Sequence, residues 1–150
     1  MNRESIYSAL FAFFSGLASG GSPLFVTATR KLKHWEDVQP DGQPALFQLQ
    51  RHEQVVRKPG LPPRWELGLD LYLYVHTAGN LDPDVIPSQL MNPLLDAVES
   101  SFVVDDPQGN RVTLGGLVYN CYIDGAVEIF EGNLGDQAVA ILPITVLVPT

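Results

Sequence analysis

The stretch from Arg64 to Thr77 constrains the fold most, because Trp65, Leu67, Leu69, Leu71, Leu73 and Val75 alternate strictly with Glu66, Gly68, Asp70, Tyr72, Tyr74 and His76. Successive side chains of a strand leave on opposite faces, so this run makes one dry face and one mixed face. A sheet covered on one side is the usual condition of antiparallel pairing. The dry face needs a layer of helix or a second sheet to bury it.

The densest apolar region, Val112 to Val148, breaks at Asp124-Gly125 and again at Gly132 to Asp136, which predicts a meander of three antiparallel strands. In its first run Leu117, Tyr119, Cys121 and Ile123 are expected on the dry face, and Val118, Asn120, Tyr122 and Asp124 on the mixed one. The glycine pair in Leu114-Gly115-Gly116-Leu117 reads as a bulge or close backbone approach within that strand. The last run is apolar at Ala138, Ala140, Leu142, Ile144, Val146 and Val148 and at most odd positions as well, so it calls for cover on both faces, which a neighbouring subunit would supply. Pro143 withholds a ladder donor there and predicts an edge, a bulge or a break.

Ile6, Leu10, Phe13, Phe14 and Leu17 fall at helical spacing, which predicts a first helix from about Glu4 to Leu17, stopping at Gly20-Gly21. That periodicity, with Glu4 cancelling Arg3, favours an uncleaved amphipathic helix over a secretory leader. Leu24 to Trp35 reads as a strand that runs into the basic cluster Arg30, Lys31, Lys33 and His34, and Pro44 to Arg57 reads as another. Between them Glu36 to Pro44 is a turn-rich loop, and Lys58 to Pro63 is a stiff proline connector. A second helix is expected to begin with Asn92 as N-cap and Pro93 at its first position, with Leu94, Leu95, Val98 and Phe102 as its apolar stripe and Asp96 in the first turn. Together these elements predict one α+β domain over residues 1–150: a mainly antiparallel twisted sheet of about six strands, with two helices packed on one face.

The chemistry-bearing residues are sparse. No phosphate loop, nucleophile elbow, HExxH, paired CxxC or dinucleotide glycine motif occurs, and the three histidines are far apart. Cys121 reads as a small buried hydrophobe. Asp82/Asp84 and Asp105/Asp106 adjoin prolines and read as turn formers rather than calcium ligands. No cofactor or metal is implied, and the pattern points away from an enzyme. No apolar run reaches the ~20 residues of a membrane span. A net charge of −8 disfavours non-specific binding to nucleic acid, and it is unevenly spread. Through Arg64 there are eight Lys/Arg against five Asp/Glu, a balance of +3; from residue 65 onward one Arg faces twelve acids, a balance of −11. Such asymmetry suits a head-to-tail contact between copies.

The order of elements, with RKLKHWEDVQPDGQPALF (Arg30 to Phe47), the LPPRW connector, NPLLDAVE (Asn92 to Glu99) and LGGLVYNCYIDGAVEIFEG, resembles the tail-terminator, or tail-completion, minor tail proteins of long-tailed bacteriophages. The resemblance implies a structural virion protein assembled in the host cytoplasm. It would form a homomeric ring, typically of six subunits, that caps the head-proximal end of the tail tube and ends tube polymerisation. Its implied partners are copies of itself, the tail tube protein and the head-completion or neck protein, while DNA passes through the channel without specific binding and no membrane is involved. Charge then places Arg30, Lys31, Lys33 and Arg51 on the basic side of a subunit contact, with Glu128, Glu131 and Asp136 on its acidic side. Two alternatives remain open: a head-tail connector subunit of the neck, and a small binding module using Tyr72, Tyr74 and His76 on the polar sheet face.

Overall fold

The computed structural model describes residues 1–149. Helix α1 (Arg3–Ser15) starts where the Asn2 side chain accepts the Ser5 N–H at 3.1 Å, and ends at Gly16, whose N–H returns to Ala12 O. It buries Ile6, Tyr7, Leu10 and Phe14, the face that the spacing predicts. Gly20-Gly21 does not terminate the helix; it turns a separate two-residue hairpin, β1 (Ala18–Ser19) with β2 (Ser22–Pro23), where both glycines take the positive φ that such turns require.

The strand expected over Leu24 to Trp35 is reduced to three residues, β3 (Thr27–Thr29), and it pairs parallel with β4 (Ala45–Val56). The chain leaves the sheet just after Thr29, where the Lys31 N–H is taken by Thr29 Oγ1, and no covered face exists for the charged residues that follow. This one parallel pairing makes the sheet mixed rather than antiparallel throughout. β4 pairs antiparallel with β5 (Arg64–His76), and the register slips at Gln50/Glu53, so that Arg51 and His52 bulge opposite Gly68. A Cβ at Gly68 would lie 3.1 Å from the His52 carbonyl and 3.2 Å from the Arg51 guanidinium. Glycine is what lets the bulge close.

β5 then pairs with β8 (Gln137–Pro149) from Arg64↔Pro149 to His76↔Gln137 without a register shift. The far side of β8 carries two short strands, β6 (Asn120–Ile123) and β7 (Glu128–Glu131), giving the order β3-β4-β5-β8-β6 with β7 beside β6 on the same edge. The predicted meander is therefore not formed. Asp124-Gly125 is no hairpin turn: the chain steps past Pro143 and continues in the same direction along β8. The Asp124 N–H bonds to Pro143 O at 3.0 Å, so the donor that proline lacks would point at this edge, where the ladder is interrupted. The expected break at Pro143 is thus observed. The dry phase expected from Leu117 does not extend below Asn120, since Val118 is buried whereas Leu117 and Tyr119 are exposed. Leu114 to Leu117 is a turn before the strand rather than a bulge inside it.

Helix α2 (Pro87–Ser100) begins five residues before Asn92. Pro87 occupies the first position, the Ile86 N–H is capped by Gln89 Oε1 at 2.9 Å, and the early start buries Pro87 and Met91 beside Leu94 and Val98. Burying an extra turn offsets the hydrogen bond lost at Pro93, which lies inside the helix, and Asp96 falls mid-helix rather than in the first turn.

Both helices lie on one face of the sheet. Tyr7, Leu10 and Phe14 of α1 and Met91, Leu94 and Val98 of α2 share a core with the odd residues of β5 from Leu67 to Val75 and the even residues of β8. The opposite face is closed at one end only, where Val38, Ala45, Phe47, Tyr74 and Val139 form a second cluster beneath the short 3-10 turns Trp35–Asp37 and Pro40–Gly42. Here the chain's own loop supplies the second cover for β8. The loop is clasped by Gln43, whose buried amide donates to Val38 O (3.1 Å) and to Gln137 Oε1 (2.9 Å).

Candidate functional site

The charged residues singled out by sequence divide between the two borders of the sheet. On the β3 border, Arg30 reaches Glu4 of α1 at 2.6 Å and Gln50 of β4 at 3.3 Å, and its guanidinium holds the Glu4 carboxyl below its ordinary pKa. Arg51 crosses Gly68 to meet Asp70 at 3.2 Å. Burial nevertheless pushes the Asp70 carboxyl upward, against the pull of Arg51 and His52 and with added repulsion from Glu128. Two of the four basic residues are thus matched within the chain. Lys31 and Lys33 are exposed and form no ion pair among the described residues.

On the opposite border Glu128 and Glu131 stand at the two ends of β7, exposed and likewise without an ion pair among the described residues. Asp136 is an exposed turn residue whose carbonyl accepts the Thr77 N–H at 2.9 Å. Strands β4, β5 and β8 separate Lys31 and Lys33 from Glu128 and Glu131, so one chain does not bring the two groups together.

Between its glutamates β7 exposes Ile129 (46%) and Phe130 (47%), with Val127 (41%) just before them. Sequence reasoning missed this exposure, because it made the segment the central strand of a meander with neighbours on both sides. The signal lay in Glu-Ile-Phe-Glu itself, an apolar pair bracketed by like charges, which is how natural sheets guard an open edge.

The polar sheet face is not an open platform at the end where Tyr72, Tyr74 and His76 lie. Tyr74 is core: its hydroxyl donates to Lys33 O at 2.7 Å, its ring lies 4.9 Å from that of Phe47, and burial pushes its pKa up to about 12. His76 Nδ1 is spent on the Ala78 N–H. The remaining candidates are structural. Asp105 accepts the Thr113 N–H (2.6 Å), the Thr113 hydroxyl (2.8 Å) and the Gly115 N–H (2.8 Å), bonds that hold its carboxyl at about 2. Asp106 binds Arg111, whose guanidinium stacks 4.2 Å above the Tyr119 ring. Asp82 accepts the Asp84 N–H, a turn bond rather than a cation ligand. Cys121 is fully buried, and burial pushes its thiol up to about 12, which suppresses thiolate chemistry. Among the described residues no three His, Cys, Asp or Glu side chains converge as metal ligands, and no helix is long and apolar enough to cross a membrane.

The sequence matches no known family model and no curated protein.

Proposed function

We propose that the chain is a structural ring subunit of a long-tailed phage: a tail terminator whose homohexamer caps the head-proximal end of the tail tube, stops its polymerisation and receives the head-completion protein. The observation that carries this reading is the polarity of the sheet. One border presents exposed Lys31 and Lys33, and the other presents Glu128 and Glu131 around exposed Ile129 and Phe130. Neither set forms an ion pair among the described residues. Unlike borders on one subunit fit a heterologous contact, and such contacts close into rings when the rotation between copies allows it. In that contact Arg30 and Arg51 brace the basic side through Glu4 and Asp70, while Lys31 and Lys33 carry the charge that a neighbour meets.

Light scattering with negative-stain imaging tests the reading. A ring is expected at micromolar concentration or on addition of purified tail tubes, and a chain that stays monomeric in both settings ends it. Reversing Lys31 and Lys33 to Glu is expected to weaken assembly, with the difference from wild type largest in low salt. Equal loss at all salt concentrations would remove the charge-pairing element.

A further inference from the structure

Granted the ring reading, we infer that the contact between copies is a backbone ladder, in which β7 of one subunit adds antiparallel to β3 of the next so that a continuous sheet runs around the ring. The pairings across the subunit place the two border strands on the same three rows. Thr27, Ala45, Tyr74, Val139 and Phe130 form one row; Ala28, Leu46, Leu73, Ala140 and Ile129 the next; Thr29, Phe47, Tyr72, Ile141 and Glu128 the third. Strand direction agrees as well. β4 runs antiparallel to β5, β5 to β8 and β8 to β7, so β7 opposes β4, and it opposes β3, which is parallel to β4. Repeating the subunit about an axis roughly along the strands therefore juxtaposes β7 and β3 antiparallel, with no inversion.

Hydrogen-bond phase fits the same register. The Thr77 N–H bonds to Asp136 O and the Asp124 N–H to Pro143 O, so even residues of β8 address β5 and odd ones address β7. Glu128 and Phe130, opposite Ile141 and Val139, then point inward and leave the N–H and C=O of Ile129 facing outward. Carried through β5 and β4, the alternation turns Ala45 and Phe47 toward β5, and their parallel partners Thr27 and Thr29 toward β4. Ala28 is the residue of β3 whose backbone faces out. The row that holds Ala28 also holds Ile129, so two outward residues meet, as an antiparallel hydrogen-bonded pair requires. In that arrangement Glu128 lies toward Arg30 and Lys31, and the Ile129 side chain covers Ala28 and the exposed Val26.

A second copy related by a twofold axis is the competing occupant of the β7 edge. With the outward Ile129 opposite Ile129 of the other copy, that pairing brings the two Glu128 side chains diagonally together across the axis, a like-charge contact that the β3 edge does not present. The edge is built for an unlike partner.

Two proline substitutions test the ladder on the full chain. Ile129→Pro and Ala28→Pro each delete one outward N–H while leaving the bonds to β8 or β4 untouched, a position where edge strands tolerate proline. Each variant alone is expected to lose the ring in sedimentation velocity at concentrations where wild type assembles, with the far-ultraviolet circular dichroism of the monomer retained. Mixed at high concentration, the two are expected to give a one-to-one dimer, because each keeps the edge that the other lacks; that dimer also shows that both variants are folded. Rings formed by either variant would overturn the ladder and leave the ring reading intact. Two monomers that do not combine on mixing would overturn it too, whereas a wild type that never forms a ring removes both readings together.

Discussion

The two sides of β8 present one strand with opposite fates. Toward β5 it pairs over thirteen residues with no irregularity, and both partners are buried along the helix face. Toward the border it holds two four-residue pieces split at Pro143, one of which exposes every side chain. The backbone bonds are of the same kind on each side. What differs is apolar area, at ~25 cal/mol per Å² removed from water, and that difference separates the part that folds the monomer from the part left for other work.

Substitutions along this contrast are expected to fall in a definite order of effect on monomer stability, measured by chemical denaturation. Leu71→Ala, on the fully buried row shared with Leu142, is expected to cost about 3 kcal/mol or more. A cost under 1 kcal/mol there would mean that the β5 side is not the centre of the core. Cys121→Ser buries a hydroxyl where the thiol makes no hydrogen bond among the described residues and should cost about 1–2 kcal/mol; a neutral result would place β6 among the loosely attached elements. Ile129→Ser should fall within about 0.5 kcal/mol of wild type while still impairing assembly.

The loop between α2 and β6 sharpens the contrast through pH. Asp105 is held at about 2, below its ordinary value of 3.8, so its contribution to stability is fully present above the ordinary value and disappears as pH falls through about 2. Thermal unfolding of wild type is expected to drop more steeply than that of Asp105→Asn between pH 4 and pH 2, as read by scanning calorimetry. Parallel slopes would show that the carboxylate does not pin the loop.

What could be read from sequence follows the same division. The long strands β4 and β5 and the first helix fall within two residues of their expected limits, because a period of two or 3.6 over a dozen residues overrides local ambiguity. The short border elements did not. Asp124-Gly125 carries a hairpin signal, yet Pro143 lies across from it, and a missing donor on the partner strand is invisible in the local window. Pro93 preceded by Asn92 imitates a helix start, and Met91, just before that pair, reveals its value only when the core is assembled. For the candidate site, the acidic and basic residues were legible as charges. Their placement on opposite borders depends on sheet order, and the internal engagement of Arg30 and Arg51 depends on contacts between distant elements.

A strand that is apolar on both faces has no hydrophobic means of choosing its alignment, since sliding by one residue still buries greasy side chains on either side. β8 is such a strand, and two residues in it act as markers. Gln137 at its start fits only where the Gln43 amide waits, and any slide strands two amides in the interior. Pro143 at its middle fits only where no acceptor awaits a donor. The amide clasp and the proline gap thus act as alignment keys, and they fix which residues of the border strand reach the surface in every copy.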